Sequence, residues 1–394
     1  MKKRFLSAFM CVAMVAALVG CGEAKTEEPA VAETPASEVE GPAEEVADDA
    51  AEEATDDADT VGRTLDTSPL SGKTIYLVSK GFQHQYWQAV LQGANEAAEE
   101  FGVTVDFQGP ADESAYAEQL QLLNNAVNNA PPAIGLAALS TESCLEAIQT
   151  ALDNGIPIVG FDSGVPDAPA GAIVANAATD NYAAGEIAAD NTYPLIKEKI
   201  VAATAPIRIG VLSQDNTSAS VTLRGTGFID KMRTILESEG KTVSVEGNDF
   251  FIGKCGGSTD GADVVIEVLV PAKVDMALST IDAQNLLNKE ETVAIYGSNS
   301  HAAEALIAGD ENIGRLAKDV VGVGFDSGTV IKTAIKDGRL AGAITQAPVA
   351  IGYNTVKLCV EAALGQPVQD VDTGCQWFTA DNIDDPEIAQ NLYD

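Results

Sequence analysis

Two features of the sequence gather groups able to hold a small polyhydroxylated molecule. The first is Lys80-Gly81-Phe82-Gln83-His84-Gln85-Tyr86-Trp87, which packs an imidazole, amides and aromatic rings into one short segment. Aromatic faces cover C–H surfaces, and amides take hydroxyl hydrogen bonds in pairs. Tyr86 and Trp87 alone would be ordinary core filler; their company favours a site. The second feature is a repeat, Val159-Gly160-Phe161-Asp162-Ser163-Gly164 and Val323-Gly324-Phe325-Asp326-Ser327-Gly328. Each run ends an apolar strand with an aspartate and a turn, which puts a carboxylate at the carboxyl edge of a parallel sheet, where open α/β sheets bind ligands. A single match would read as an N-cap aspartate opening a helix. Two in corresponding places point to contact with one ligand from two sides.

The elements that must position these groups alternate as parallel α/β layers do. Strands are expected over 74–79, 103–108, 133–138 and 157–161, with helices over 86–101, 113–128 and 144–154. A second series begins after Asn176, with strands over 208–212, 264–269, 293–296, 320–325 and 340–345. Its helices are expected over 182–195, 220–239, 276–288, 329–337 and 351–364. Gly102 and Asn154-Gly155 mark helix ends. Residues 242–262 fit the alternation poorly and read as an inserted loop around Cys255-Gly256-Gly257. The folded remainder exceeds what one core usually holds, so two domains are expected.

Lys2, Lys3 and Arg4 precede an apolar run over 5–19 that is shorter than the roughly 20 residues of a spanning helix. Residues 1–20 therefore read as a signal peptide. Leu18-Val19-Gly20-Cys21 resembles the lipobox of bacterial lipoproteins, which implies a lipidated Cys21 anchored at the outer face of the cell membrane. An ordinary signal peptide with an incidental cysteine is the alternative. Over 22–68 sixteen Asp and Glu face only Lys25 and Arg63, so 21–70 is expected to be a disordered acidic tether, with an acidic interaction tail as the alternative. The net charge of −36 disfavours nucleic acid and anionic headgroups as partners, leaving the lipid as the one membrane contact. With His84 and His301 the only histidines and no cysteine pair at ligand spacing, no metal site is expected. The lack of a Gly-x-Ser-x-Gly elbow or a phosphate-cradling loop argues against an enzyme and a bound cofactor.

Several segments carry a family resemblance in the family's order: the 80–87 loop, 155–163 ending in Asp162-Ser163, Ala178-Thr179-Asp180-Asn181, Arg224-Gly225-Thr226-Gly227-Phe228, Gly297-Ser298-Asn299, Val323-Gly324-Phe325-Asp326 and Ile344-Thr345-Gln346. From Lys73 onward the chain resembles the ribose-binding-protein family of type I periplasmic binding proteins, relatives of the LacI repressor core. The resemblance implies an α/β fold of two Rossmann-like lobes with parallel sheets, joined by three hinge crossings. These would fall near 178–180, 345–347 and 372–375, giving lobes of 71–178 plus 347–372 and of 179–346 plus 373–394. It implies a monomer that closes on a small polar ligand, in the first place a monosaccharide, and delivers it to the permease of an ABC importer. A ligand-presenting receptor for a sensor kinase or chemoreceptor is the alternative. The family's ligand positions fall on His84, Tyr86, Trp87, Asp162, Asn299, Asp326 and Gln346. Its arginine falls on Thr222, while Arg224 matches a neighbouring arginine of structural role. On this fold Cys255 and Cys375 share a lobe and form the expected disulfide, with Cys144 and Cys359 as small core residues.

Overall fold

The computed structural model describes residues 65–394 apart from Ser258 and Ala317. The signal segment, Cys21 and most of the acidic segment lie outside the described residues. Runs such as Ile158-Val159-Gly160-Phe161 are buried throughout, because a central parallel strand is covered on both faces. The chain opens with β1 (Thr74–Val78), α1 (Gln85–Phe101), β2 (Thr104–Gln108), α2 (Tyr116–Asn128), β3 (Ile134–Leu136), α3 (Leu145–Asp153), β4 (Ile158–Phe161) and β5 (Ile173–Ala178). It continues through α4 (Asn181–Ala202), β6 (Ile207–Leu212), α5 (Ala219–Ser238), β7 (Val243–Gly247), α6 (Asp249–Cys255), β8 (Val264–Leu269), α7 (Met276–Leu287), β9 (Thr292–Gly297) and α8 (Ser300–Asp310). β10 (Val321–Phe325), α9 (Thr329–Lys336), β11 (Gly342–Gln346), α10 (Pro348–Ala363), β12 (Val371–Asp372), β13 (Cys375–Phe378) and α11 (Pro386–Ala389) complete it.

The strands form two sheets, ordered β12-β5-β4-β3-β1-β2 and β13-β11-β10-β9-β6-β8-β7. All pairings are parallel except that of β11 with β13. The chain passes between the sheets three times: from β5 into α4, from β11 into α10, and from β12 into β13. After the second passage α10 packs against α1 of the first lobe. Gly93 and Gly352 make that approach possible, since a β-carbon on either would lie 1.8 Å from a backbone oxygen of the other helix. In each sheet the strand order reverses beside the first strand of the lobe, at β1 and at β6, which places a crevice at the carboxyl ends.

Three expectations need correction. Residues 242–262 are not a loop: β7 and α6 form a strand–helix unit that adds a strand to the edge of the second sheet. β5 was not expected as a strand, because Ile173-Val174-Ala175-Asn176-Ala177-Ala178 lacks a run of large apolar residues. Cys255 and Cys375 are both free, as are Cys144 and Cys359. Cys255 ends the helix that follows β7, and Cys375 begins β13, the opposite edge of the same sheet. Six inter-strand steps of about 4.8 Å separate those edges by roughly 29 Å, whereas a disulfide needs Cα atoms within about 7 Å.

Candidate functional site

The carboxyl ends of both sheets face one cavity of about 350 Å³. Lys80, Phe82, His84, Tyr86 and Trp87 enter it after β1 and Asp162 after β4; from the second lobe come Gln214 after β6, Arg224 on α5, Asn299 after β9, Asp326 after β10 and Gln346 at the end of β11. Seven of the eight residues expected from the sequence therefore line it, and Thr222 does not.

Asp162 and Asp326 occupy equivalent backbone settings. Both are left-handed, with φ of 56° and 70°, a conformation that Asp tolerates better than most residues. Each donates its N–H to the carbonyl of the adjoining strand, Asp162 to Ala177 and Asp326 to Ile344. Neither is the N-cap of the helix that follows it in the chain, as the single-motif reading would have it: α4 is capped at Asp180 and α9 at Gly328. The Asp162 Oδ1 accepts from the Tyr86 phenol at 2.6 Å, and its Oδ2 pairs with Lys80 Nζ at 2.8 Å. The Asp326 Oδ1 accepts from Gln346 Nε2 at 2.7 Å, and its Oδ2 from the Ser300 N–H at 3.1 Å. Gln346 Oε1 is buried with no protein donor among the described residues, which leaves an acceptor for a ligand hydroxyl.

Lys80 was not expected in the site. The residue is 5% exposed, and its ammonium donates across the lobes to Ser220 Oγ at 3.1 Å and Ser218 Oγ at 3.4 Å. Burial pulls its pKa down, but attraction to Asp162 and Glu113 outweighs that and holds it above the ordinary lysine value. Lys80 stays charged. Burial, reinforced by Asp162, pushes the Tyr86 phenol well up, so it remains a donor.

A second chain of hydrogen bonds crosses the cleft. Trp87 Nε1 donates to Glu113 Oε1 at 3.0 Å, Gln214 Nε2 to Glu113 Oε2 at 2.9 Å, and Asn299 Nδ2 to Gln214 Oε1 at 2.8 Å. Asn299 also caps α8 through its Oδ1. His84 caps α1, its Nδ1 accepting from the Tyr86 N–H at 3.2 Å; the ring proton is then on Nε2, which faces Ser300 Oγ at 3.3 Å. At the rim, burial lowers the pKa of His301 and raises that of Glu304.

Thr222 is the one expected residue that the structure places off the cavity wall. Its hydroxyl donates back to Ser218 O and Ala219 O inside α5, at 2.9 and 3.1 Å. Two residues on, about 200° around the helix, Arg224 lines the cavity instead. The guanidinium lies 3.9 Å above the Phe325 ring, donates to Asn181 Oδ1 at 2.7 Å and sits 3.8 Å from Asp326 Oδ2. Arg224 thus belongs to the cavity wall as well as to the scaffold. Gln214, Glu113 and Ser300 carried no motif; position at strand and helix ends is the signal that singles them out.

Two α/β lobes, three crossings and a polar cavity at facing sheet edges define a two-lobed ligand-binding protein. Residues 75–367 match the periplasmic binding protein domain model, and the chain belongs to that family of non-catalytic solute-binding proteins. The ribose import binding protein RbsB of Salmonella typhimurium is 25% identical over 311 residues, covering 78% of this chain and 90% of its own. Among solved structures, an ABC transporter, LacI family transcriptional regulator from Brachyspira murdochii is 33% identical, with a TM-score of 0.68, over 82% of this chain and 99% of that one. A solute-binding protein from Agrobacterium vitis with bound D-fucose is 26% identical, with a TM-score of 0.68, over 81% and 100%.

Proposed function

We propose that the protein binds a neutral monosaccharide between its lobes and presents it to an ABC importer. The observation that carries this reading is the pair of buried carboxylates, Asp162 and Asp326, in matching left-handed settings on two sides of one cavity. Size supports it. A dry cavity of about 150 Å³ holds benzene, so roughly 25 Å³ serves each heavy atom, and 350 Å³ then suits about 14, close to the dozen of a hexose. Charge supports it too: Lys80 and Arg224 balance the two buried aspartates, while Asp112, Asp275 and Glu304 at the rim repel phosphates and sugar acids. The named sugar-binding relatives agree with the class, ribose import for one and bound D-fucose for another.

On this reading residues 71–178 with 347–372 and 179–346 with 373–394 move as two lobes that close on the sugar. Cys21 carries the lipid that holds the protein at the outer face of the cell membrane beside the permease. A thermal-shift screen against pentoses, hexoses and their deoxy forms tests the reading. A binding sugar at 100 times its Kd adds about 2.7 kcal/mol of stability. Asp326→Ala should weaken that binding about a hundredfold, the worth of one or two charge-assisted hydrogen bonds. No shift with any monosaccharide would overturn the proposal.

A further inference from the structure

The segment after α11 reaches the cleft although no motif marks it. Thr345 Oγ1 donates to Asn391 O at 3.1 Å, and Asn391 Nδ2 donates to Gln376 Oε1 at 2.9 Å. Two residues on, the Tyr393 N–H donates to Ser327 Oγ at 3.0 Å, and its carbonyl accepts from the Gly328 N–H at 3.1 Å. These bonds fasten the segment to the second lobe, on the turn that directly follows Asp326. The Tyr393 ring, however, packs against the first lobe. It meets Tyr86 at 5.9 Å and 64°, and His84 at 6.3 Å and 77°, both edge-on.

Those two residues are walls of the cavity. Tyr86 holds the Asp162 carboxylate, and His84 caps α1 and reaches Ser300 of the second lobe. We propose that Tyr393 is a positioning residue for ligand binding: anchored on one lobe, its ring holds Tyr86 and His84 of the other in place, and so slows reopening. The proposal rests on the closure reading above. The contacts join elements of different lobes, so they are made when the lobes are together and lost when they part. The ring carries the effect, because the Tyr393 hydroxyl is buried with no hydrogen-bond partner among the described residues.

Edge-on aromatic pairs each shift an equilibrium by roughly two- to tenfold. Two of them predict that Tyr393→Ala favours the open form by about four- to a hundredfold, whereas Tyr393→Phe behaves as wild type. The test places nitroxides at Glu146→Cys and Glu311→Cys, exposed positions on α3 and just after α8, and follows the distance between them by pulsed electron resonance. The probe is an equimolar mixture of D-ribose, D-arabinose and D-fucose. The wild type and Tyr393→Phe should shorten at the same sugar concentration, and Tyr393→Ala at a concentration about four- to a hundredfold higher. Equal midpoints for Tyr393→Ala and the wild type, or a Phe variant as weak as the Ala variant, would overturn the positioning role. A wild-type distance that no sugar changes would instead overturn the closure reading, and this inference with it.

Discussion

Replacing Lys80 by methionine removes the cation that Asp162 faces without emptying much volume. Lys80 is 5% exposed and Asp162 2%, their atoms are 2.8 Å apart, and among the described residues the Tyr86 phenol is the one other side-chain donor to that carboxylate. Breaking a buried pair by deleting one partner costs about 3–5 kcal/mol, because the remaining charge is desolvated and uncompensated. Over the roughly 330 described residues the unfolding entropy is about 0.7 kcal/mol per kelvin, so Tm should fall by about 4–7 °C. Adding Asp162→Asn to Lys80→Met removes the stranded charge, and Asn accepts the left-handed backbone at that position. The double variant should recover to within about 1–2 kcal/mol of the wild type, the residual worth of the lost hydrogen bonds. Calorimetry of ligand-free protein reads both. A Tm for Lys80→Met within a degree of wild type, or a deficit that survives in the double variant, would refute the claim that Lys80 serves to hold Asp162.

Arg224→Met should weaken sugar binding by about a hundredfold, because it takes the guanidinium from Asp326 and Asn181, while Thr222→Val should leave affinity within about twofold; isothermal titration distinguishes them. Non-reduced, unfolded protein should show Cys144, Cys255, Cys359 and Cys375 all reacting with a thiol reagent, and a result of two reactive thiols among them would restore a disulfide. Cys21→Ala should release the protein from the membrane fraction or block its processing, and unchanged retention with normal processing would contradict the lipid anchor.

Much of the fold was legible because buried parallel strands are continuous apolar runs, as in β4 and β9. β5 and β7 are not legible for opposite reasons: after Ile173-Val174 the first is only alanines and an asparagine, and the second is an edge strand whose Glu246 and Gly247 resemble a turn. The two aspartates were legible because their flanking residues repeat. Lys80 was not, since a lysine in a polar loop reads as solvated, and the serines that bury it lie 138 and 140 residues away. The family register falls on Thr222 rather than on Arg224, and the rotation of α5 that turns Arg224 to the cavity is a tertiary fact.

The central claim is that Asp162 and Asp326 hold one sugar from opposite lobes. A crystal structure of the protein with the sugar that gives the largest thermal shift tests it most directly. The account predicts a single sugar ring inside the cavity, with a hydroxyl on Gln346 Oε1 and hydroxyls within hydrogen-bond distance of both carboxylates. Density for the sugar elsewhere, or in the cavity but touching only one lobe's aspartate, would contradict it.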